Sequence, residues 1–271
     1  MSFLRPAPMI MAAVAALVFI FVLYDSQRRF SSLHDPAFAT GWWLFATILL
    51  LIGLNMRKKL STVPVGRATW WLLFHIGAGI LAIGLFVVHT PSRWPAGLYE
   101  QVLAGLFWVV SISGVLGYAI QKLYPRHLVN VGGETLFERV PAEINRLRDA
   151  AEAVVLASAS ETGSPTLGQH YLNALAWFFR KPRFLLNHAL LGRRSTHWLE
   201  LQSDAIERYL NDKEKTYLRQ LQALALEKDR VDAHYVLQGL MKLWLLLHVP
   251  LAFAMLALAC WHLVVVHVFK P

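Results

Sequence analysis

"FHIGAGILAIGLFVVHT", residues 74–90, is a run of small and apolar residues with a histidine near each end, His75 and His89. About 20 mostly apolar residues in a helix are enough to cross the hydrocarbon core of a bilayer, and residues 70–88 are such a run. An ionisable side chain is costly in a membrane, so histidines in such a run indicate a functional site. The stretch therefore predicts a membrane-spanning helix whose histidines belong to a functional site.

Four further apolar runs cover residues 9–24, 42–56, 102–120 and 240–269. Only 16% of the 271 residues are charged and 56% are hydrophobic, whereas soluble domains carry about 25% charged residues. We therefore predict an all-α integral membrane bundle of five transmembrane helices, with a mostly helical insertion between helices 4 and 5. The predicted domains are residues 1–121 (helices 1–4), 122–236 (the insertion, with a short hairpin) and 237–271 (helix 5).

The first run has an alternative reading. A short apolar run after Arg5 is also typical of a signal peptide. The small-residue cleavage site that a signal peptide needs is missing near its end, where Val22-Leu23-Tyr24-Asp25 stands instead. We expect the run to be retained as a span, and the orientation below depends on that.

Charge predicts the orientation. The net charge is +9, yet residues 122–236 are nearly balanced, with 16 Lys and Arg against 14 Asp and Glu. The remaining cations flank the spans and favour the side of the bilayer that holds the insertion, which the positive-inside rule makes cytoplasmic. We expect a multi-pass protein of a bacterial inner membrane, with a cytoplasmic N-terminus, a periplasmic C-terminus and no nucleic-acid partner. The single Cys260 excludes a disulfide framework or a thiolate metal cluster.

Within the insertion, the alternation around Gly132-Gly133 predicts a hairpin over residues 128–140, and Pro141 opens a helix. Residues 170–194 mix aromatic residues with cations, which is typical of a helix in the headgroup layer; packing against the hairpin is the alternative. Residues 198–228 have the pattern of an amphipathic helix or a helix pair broken near residue 211. We expect Asp229 to cap a further helix that continues into the last span.

The histidine spacing is the strongest functional signal. His75 and His89 are 14 residues apart, and so are His248 and His262 in the last span. Fourteen residues make about 3.9 helical turns and about 21 Å, so each pair lies on one helix face at two depths. Both helices run in the same direction in the five-span topology. His75 then meets His248, and His89 meets His262, as two stacked pairs of the kind that a low-spin haem needs, whereas His267 is rotated off this face.

Glycines and two arginines extend the predicted site. A flat porphyrin approaches a backbone without Cβ atoms closely, although small residues also mediate ordinary helix packing in membranes. Arg67 and Arg93 lie near the span ends, where haem propionates would emerge. The predicted cofactor-binding glycines are Gly77, Gly79, Gly84, Gly114 and Gly117.

This constellation resembles the membrane-bound dihaem b-type cytochromes, the class of cytochrome b/b6, the cytochrome b561 group and the ferric-reductase-like membrane domain. The matching positions are His75 and His89 on one helix and His248 and His262 on another. The resemblance implies two haems b with these four residues as metal ligands. The long insertion departs from the compact members, and the chain contains no Gly-rich nucleotide motif and no C-x-x-C-H haem attachment motif.

Six-coordinate haem transfers single electrons. We therefore expect the cytochrome b subunit of a larger quinone-linked oxidoreductase, which exchanges electrons with a c-type cytochrome or an iron–sulfur subunit. The alternative is a non-redox membrane protein (a transporter, a sensor or an assembly factor) whose histidines bind protons or pack.

Overall fold

The computed structural model describes residues 6–31, 36–59, 68–90, 94–133 and 135–269, and each regular element in these ranges is helical. The chain divides into two compact units. The first unit comprises residues 1–116 and 246–271, and the second unit comprises residues 117–245.

The described residues of the first unit form five helices or parts of helices. They are α1 (Pro6–Ser31), α2 (Pro36–Lys59), α3 (Ala68–His89), the first part of α4 (Leu98–Val131) and the last part of α10 (Asp212–Phe269). Among the described residues, three helices are long and apolar enough to cross a membrane, namely α3, α4 and α10, and a shorter apolar helix covers Ala37–Gly53. In α10 the apolar stretch is residues 240–269, and the charged half before it belongs almost wholly to the second unit. These helices make the chain a membrane protein.

Large apolar side chains both fill the interior of the first unit and cover its outside. Phe86 of α3 stacks on Phe107 of α4 with ring centroids 4.2 Å apart. Leu17 and Ile80 face outwards and are about two-thirds exposed. An apolar exterior suits a lipid environment, in which backbone groups must pair within helices.

The second unit is a helical domain around its own core. Its further elements are a 3₁₀ turn (Phe137–Arg139), α5 (Val140–Thr162), α6 (Thr166–His170), a π-helical turn (Tyr171–Leu175), α7 (Ala176–Phe179), α8 (Leu185–Ala189) and α9 (Arg194–Glu207). The helix predicted at Pro141 is confirmed, since Pro141 lies in the first turn of α5. The predicted break near residue 211 is also confirmed: Asn211 and Glu214 exchange hydrogen bonds of 2.9 and 3.0 Å that cap the start of α10.

The predicted hairpin over residues 128–140 is wrong. Residues 128–131 continue α4, and the 3₁₀ turn follows after residue 136. Gly132 and Gly133 both have φ of 74°, and the Gly132 amide donates to the Leu128 carbonyl at 3.2 Å. A left-handed glycine after a helix is a common C-cap. The glycine pair therefore ends a helix and does not reverse a strand.

Residues 170–194 do not form one helix. The stretch is divided among short helices, and Phe178 and Phe179 are fully buried in the core of the second unit. Phe184 adopts a left-handed conformation with φ of 51° and packs near Phe178 and Trp198. Burial of the aromatic residues in this core therefore overrides the amphipathic pattern.

Asp229 does not cap a helix, because α10 is continuous from Asp212 to Phe269. Its carboxylate instead accepts a hydrogen bond from Ser195 Oγ at 3.2 Å and lies 3.2 Å from His188 Nε2. These contacts join α10 to α8 and α9 and account for a carboxylate in the middle of a helix.

A buried ion pair spans the same turn of α10. Lys228 Nζ is 2.5 Å from Asp232 Oδ2, and neither side chain is exposed. Lys228 also donates to the Lys181 carbonyl at 2.9 Å, and the Arg183 amide donates to Asp232 at 3.0 Å. Burial raises the pKa of Asp232 to about 6. The pair fixes the turn between α7 and α8 onto α10.

Candidate functional site: a histidine-lined cavity in the first unit

Two helices carry the four histidines. α3 holds His75 near its start and His89 at its end, and α10 holds His248 and His262. The His89 and His262 ring centroids are 6.4 Å apart, and their planes are at 87°. His75 lies within electrostatic range of His248. The structure therefore brings the His89 and His262 rings together, with His75 and His248 in the same unit.

The protonated nitrogen of His89 follows from its neighbours. Its Nδ1 lies 3.0 Å from the Ala37 carbonyl and 3.3 Å from Thr40 Oγ1. Because a carbonyl oxygen only accepts, Nδ1 carries the hydrogen and Nε2 carries the lone pair. A histidine that binds a metal through Nε2 commonly donates its Nδ1–H to a backbone carbonyl in this way.

His248 has the same arrangement with a different acceptor. Its Nδ1 lies 2.6 Å from Ser113 Oγ, and Ser113 donates its own hydroxyl hydrogen to the Val110 carbonyl at 2.9 Å. Ser113 Oγ therefore accepts from His248 Nδ1, which again leaves the lone pair on Nε2. A Cβ atom at Gly114 would lie 3.7 Å from His248 Cε1, an ordinary contact distance.

His75 has an unsatisfied ring nitrogen. The Leu51 carbonyl lies beside this ring, but the buried His75 Nδ1 has no hydrogen bond of normal geometry to any described residue. Buried polar atoms without a partner are uncommon and unfavourable. The orphaned nitrogen marks a place where a ligand, or a small rotation of the ring towards Leu51, would complete the environment.

A cavity of about 350 Å³ opens beside the His89–His262 pair. Four helices line it, namely α2, α3, α4 and α10, and most of its lining is apolar, including Phe45, Phe107 and Met255. Ligand and cofactor sites are commonly apolar cavities of about 300–1,000 Å³ with a few polar groups. Here both His89 and His262 line the cavity.

Gly41 of α2 also lines this cavity, and it is not among the glycines predicted from the sequence. A Cβ atom at Gly41 would lie 2.9 Å from His89 Cε1 and 3.4 Å from Nδ1. The bare backbone of α2 therefore lets the imidazole lie against that helix, within reach of the Ala37 carbonyl.

The glycines predicted to bind the cofactor do not share one environment. A Cβ atom at Gly84 would lie 2.8 Å from the ring of Phe19 in α1, and one at Gly117 would overlap the Trp244 indole. Both glycines therefore permit close helix packing. A Cβ atom at Gly79 would meet nothing within 4 Å among the described atoms. Gly77 is half-buried in α3.

Three more residues of the site were not predicted as part of it. His267 lines the cavity and packs against Phe38 and Trp42, with centroid distances of 5.2 and 5.6 Å. Glu100 of α4 lines the cavity too. The Tyr99 ring stacks on His262 at 6.3 Å, and its hydroxyl donates to the Leu258 carbonyl at 2.5 Å.

The separation of His89 and His262 fits two imidazoles that hold one haem iron. Two imidazoles on opposite sides of one metal ion have centroids about 6 Å apart, because each metal–nitrogen bond is about 2.0–2.1 Å and each ring centre lies about 1.1 Å behind its nitrogen. The observed 6.4 Å separation agrees. Across the described part of the chain, no three His, Cys, Asp or Glu side chains form a metal-binding group. An iron between these two rings would have His89 and His262 as its protein ligands.

Arg67 and Arg93, expected near the propionates, lie outside the described residues. Comparison with known proteins gives no match to a family model, to a curated protein or to a solved structure.

Proposed function

We propose that this protein is the membrane electron-transfer subunit of a quinone-linked oxidoreductase, with five transmembrane helices and two haems b. His89 and His262 hold one haem, and His75 and His248 hold the other. One observation carries the proposal: the His89 and His262 rings, on two different helices, have centroids 6.4 Å apart and line one apolar cavity.

When bound, each haem supplies reversible one-electron transfer. His89 and His262 would hold the iron of one haem between them, and the apolar residues around them would exclude water from it. The Ala37 carbonyl and Ser113 Oγ accept the Nδ1 hydrogens of His89 and His248, which orients these rings and raises their basicity. The apolar lining keeps water away and contributes to the redox potential.

The two pairs are about 21 Å apart along their helices, by the 14-residue spacing in α3 and in α10. The charge asymmetry assigns the His75–His248 pair to the cytoplasmic side of a bacterial inner membrane and the His89–His262 pair to the periplasmic side. In this proposal electrons pass between the quinone pool and a c-type cytochrome or an iron–sulfur subunit.

The test is a dithionite-reduced minus oxidised spectrum of the purified full-length protein, with haem quantified per chain. Two low-spin haems b per chain are expected, and a colourless protein overturns the proposal. Such a protein would instead agree with a non-redox role for the histidines.

Single substitutions test the ligand assignment. His262→Ala should reduce the haem content from two to one, because it removes one axial ligand. His267→Ala is the matched control, since His267 lines the same cavity but has no place in the pairs; it should retain both haems. Loss of haem from the control alone would contradict the assignment.

A further inference from the structure

The second unit contains a long stretch with a strong charge bias. Between Glu161 and Glu200 the sequence carries no acidic residue. Its cations are Arg180, Lys181, Arg183, Arg193 and Arg194. The acidic residues that nearly balance the charge of the insertion all lie outside this stretch, so its sequence is basic throughout.

The same stretch exposes leucines. Leu186 and Leu190, in and just after α8, are 73% and 74% exposed, and Leu185 is half-exposed. The aromatic residues that precede them, Phe178 and Phe179, are fully buried in the core. The apolar residues of this stretch are therefore of two kinds: aromatic residues that are buried in the core, and leucines whose side chains are largely exposed.

The shape of α8 keeps this edge outside the core. Phe184 before α8 and Leu191 after it are the two described non-glycine residues with positive φ, at 51° and 57°. This conformation is unfavourable for residues with a Cβ atom and persists where surrounding packing imposes it. Packing of Phe184 against Trp198 holds one end of α8 in place.

A hydrogen bond joins α8 to the part of α4 that follows its apolar run, where the membrane–water interface is expected. Tyr124 Oη donates to the Ala189 carbonyl at 3.0 Å. Tyr124 lies four residues, or about 6 Å, beyond Ile120, the last residue of the α4 apolar run. Lys122 and Arg126 flank it, and a mixture of tyrosine and cations is typical of the membrane–water interface. Amphipathic elements insert about 5–10 Å into that layer.

We propose that α8 and the cations beside it bind anionic phospholipid headgroups of the bilayer in which the chain lies. Leu185, Leu186 and Leu190 enter the boundary between headgroups and acyl chains. Four cations, Arg180, Lys181, Arg193 and Arg194, face the lipid phosphates.

The charges of this surface fit that ligand. These four cations are exposed, and within the described residues none of them forms an ion pair with a carboxylate. Arg183 is excluded from the contact, because its guanidinium stacks on the Trp177 ring at 4.3 Å and donates to the Trp177 carbonyl. This inference does not depend on haem binding.

The test uses the full-length protein in nanodiscs, with Cys260→Ala to remove the native thiol. An environment-sensitive fluorophore is attached at Leu186→Cys, and spin-labelled lipids serve as quenchers. The matched control is Leu156→Cys in α5 of the same unit, because Leu156 is similarly exposed at 69%. We expect a blue-shifted and lipid-quenched label at position 186, and a label in water at position 156.

Lipid charge provides the second arm. The quenching at position 186 should be stronger in discs with anionic lipid than in zwitterionic discs, and it should weaken as salt is added. Arg193→Gln and Arg194→Gln should each lower the equilibrium constant for binding of α8 to the lipid surface about fivefold in anionic discs. A label at position 186 that stays in water in both compositions overturns the proposal and points to a protein partner on this surface.

Discussion

Gly41→Ala is expected to remove one haem while the protein remains folded. The new Cβ atom would lie 2.9 Å from His89 Cε1, whereas carbon atoms pack best about 3.5–4.0 Å apart. The imidazole must therefore withdraw by roughly 0.6–1.1 Å. Metal–ligand distances tolerate only about 0.2 Å, so His89 would lose its position on the iron.

Gly79→Ala is the control for this change. It makes the same substitution in α3, between His75 and His89, where a Cβ atom meets nothing within 4 Å among the described atoms. Both variants gain about 1 kcal/mol of helix propensity, so a difference between them reports the contact with His89.

The assay is haem per chain, measured as the pyridine haemochrome after purification under identical conditions. We expect two haems in the wild type and in Gly79→Ala, and one in Gly41→Ala, with the remaining haem still low-spin. Equal haem content in the two glycine variants would show that a Cβ atom at position 41 does not displace His89 from the iron, even if the wild type carries both haems.

The remaining predictions concern hydrogen bonding and buried charge. Ser113→Ala should raise the midpoint potential of the haem held by His248 and leave the other unchanged, because His248 Nδ1–H loses its acceptor; a redox titration that shows no shift, or equal shifts of both haems, would contradict this. Lys228→Met should lower the free energy of unfolding by about 3–5 kcal/mol, because Asp232 is left buried without its partner. Lys242→Met, whose ion pair is exposed, should have little effect, and equal losses in urea titrations would show that burial of the charge is not the cause. Asp232 should make a contribution to the free energy of unfolding that decreases as pH rises between about pH 4 and pH 6. Burial raises its native pKa to about 6, so the native state binds that proton more tightly than the unfolded chain does. Asp232→Asn should flatten this part of the stability profile, and an unchanged slope would argue against the assignment.

The sequence predicts the levels of the histidines because these levels depend on helix geometry. Equal intervals of 14 residues on two helices in the same direction allow pairs at two levels where the helices lie side by side, and the structure brings His89 to His262. The start of α5 at Val140 and the break before Asp212 were readable for a similar reason, since Pro141 and the cap formed by Asn211 are local signals.

No sequence pattern indicates the groups that orient the histidines. The Ala37 carbonyl belongs to a backbone that every residue has, and Ser113 is one hydroxyl in an apolar helix. Gly41 matters only because α2 lies against the end of α3. Each of these contacts depends on how two helices pack, which periodicity within one helix does not contain.

The errors in the second unit have tertiary causes. Gly132-Gly133 is compatible both with a turn between strands and with the end of a helix. In the structure α4 continues to Val131, so the glycine pair ends that helix. Asp229 has the composition of a helix cap, but Ser195 and His188 provide its partners inside the folded domain. Local patterns were compatible with both outcomes, and packing selected one.

The two acceptors that orient His89 and His248 differ in how readily evolution can alter them. The acceptor of His248 is a side chain, so a single base change in the codon of Ser113 can delete it or replace it with another group. The acceptor of His89 is a main-chain oxygen, which no codon change removes unless the whole of α2 is displaced. Natural variants should therefore adjust one level of the site in small steps and leave the other almost invariant.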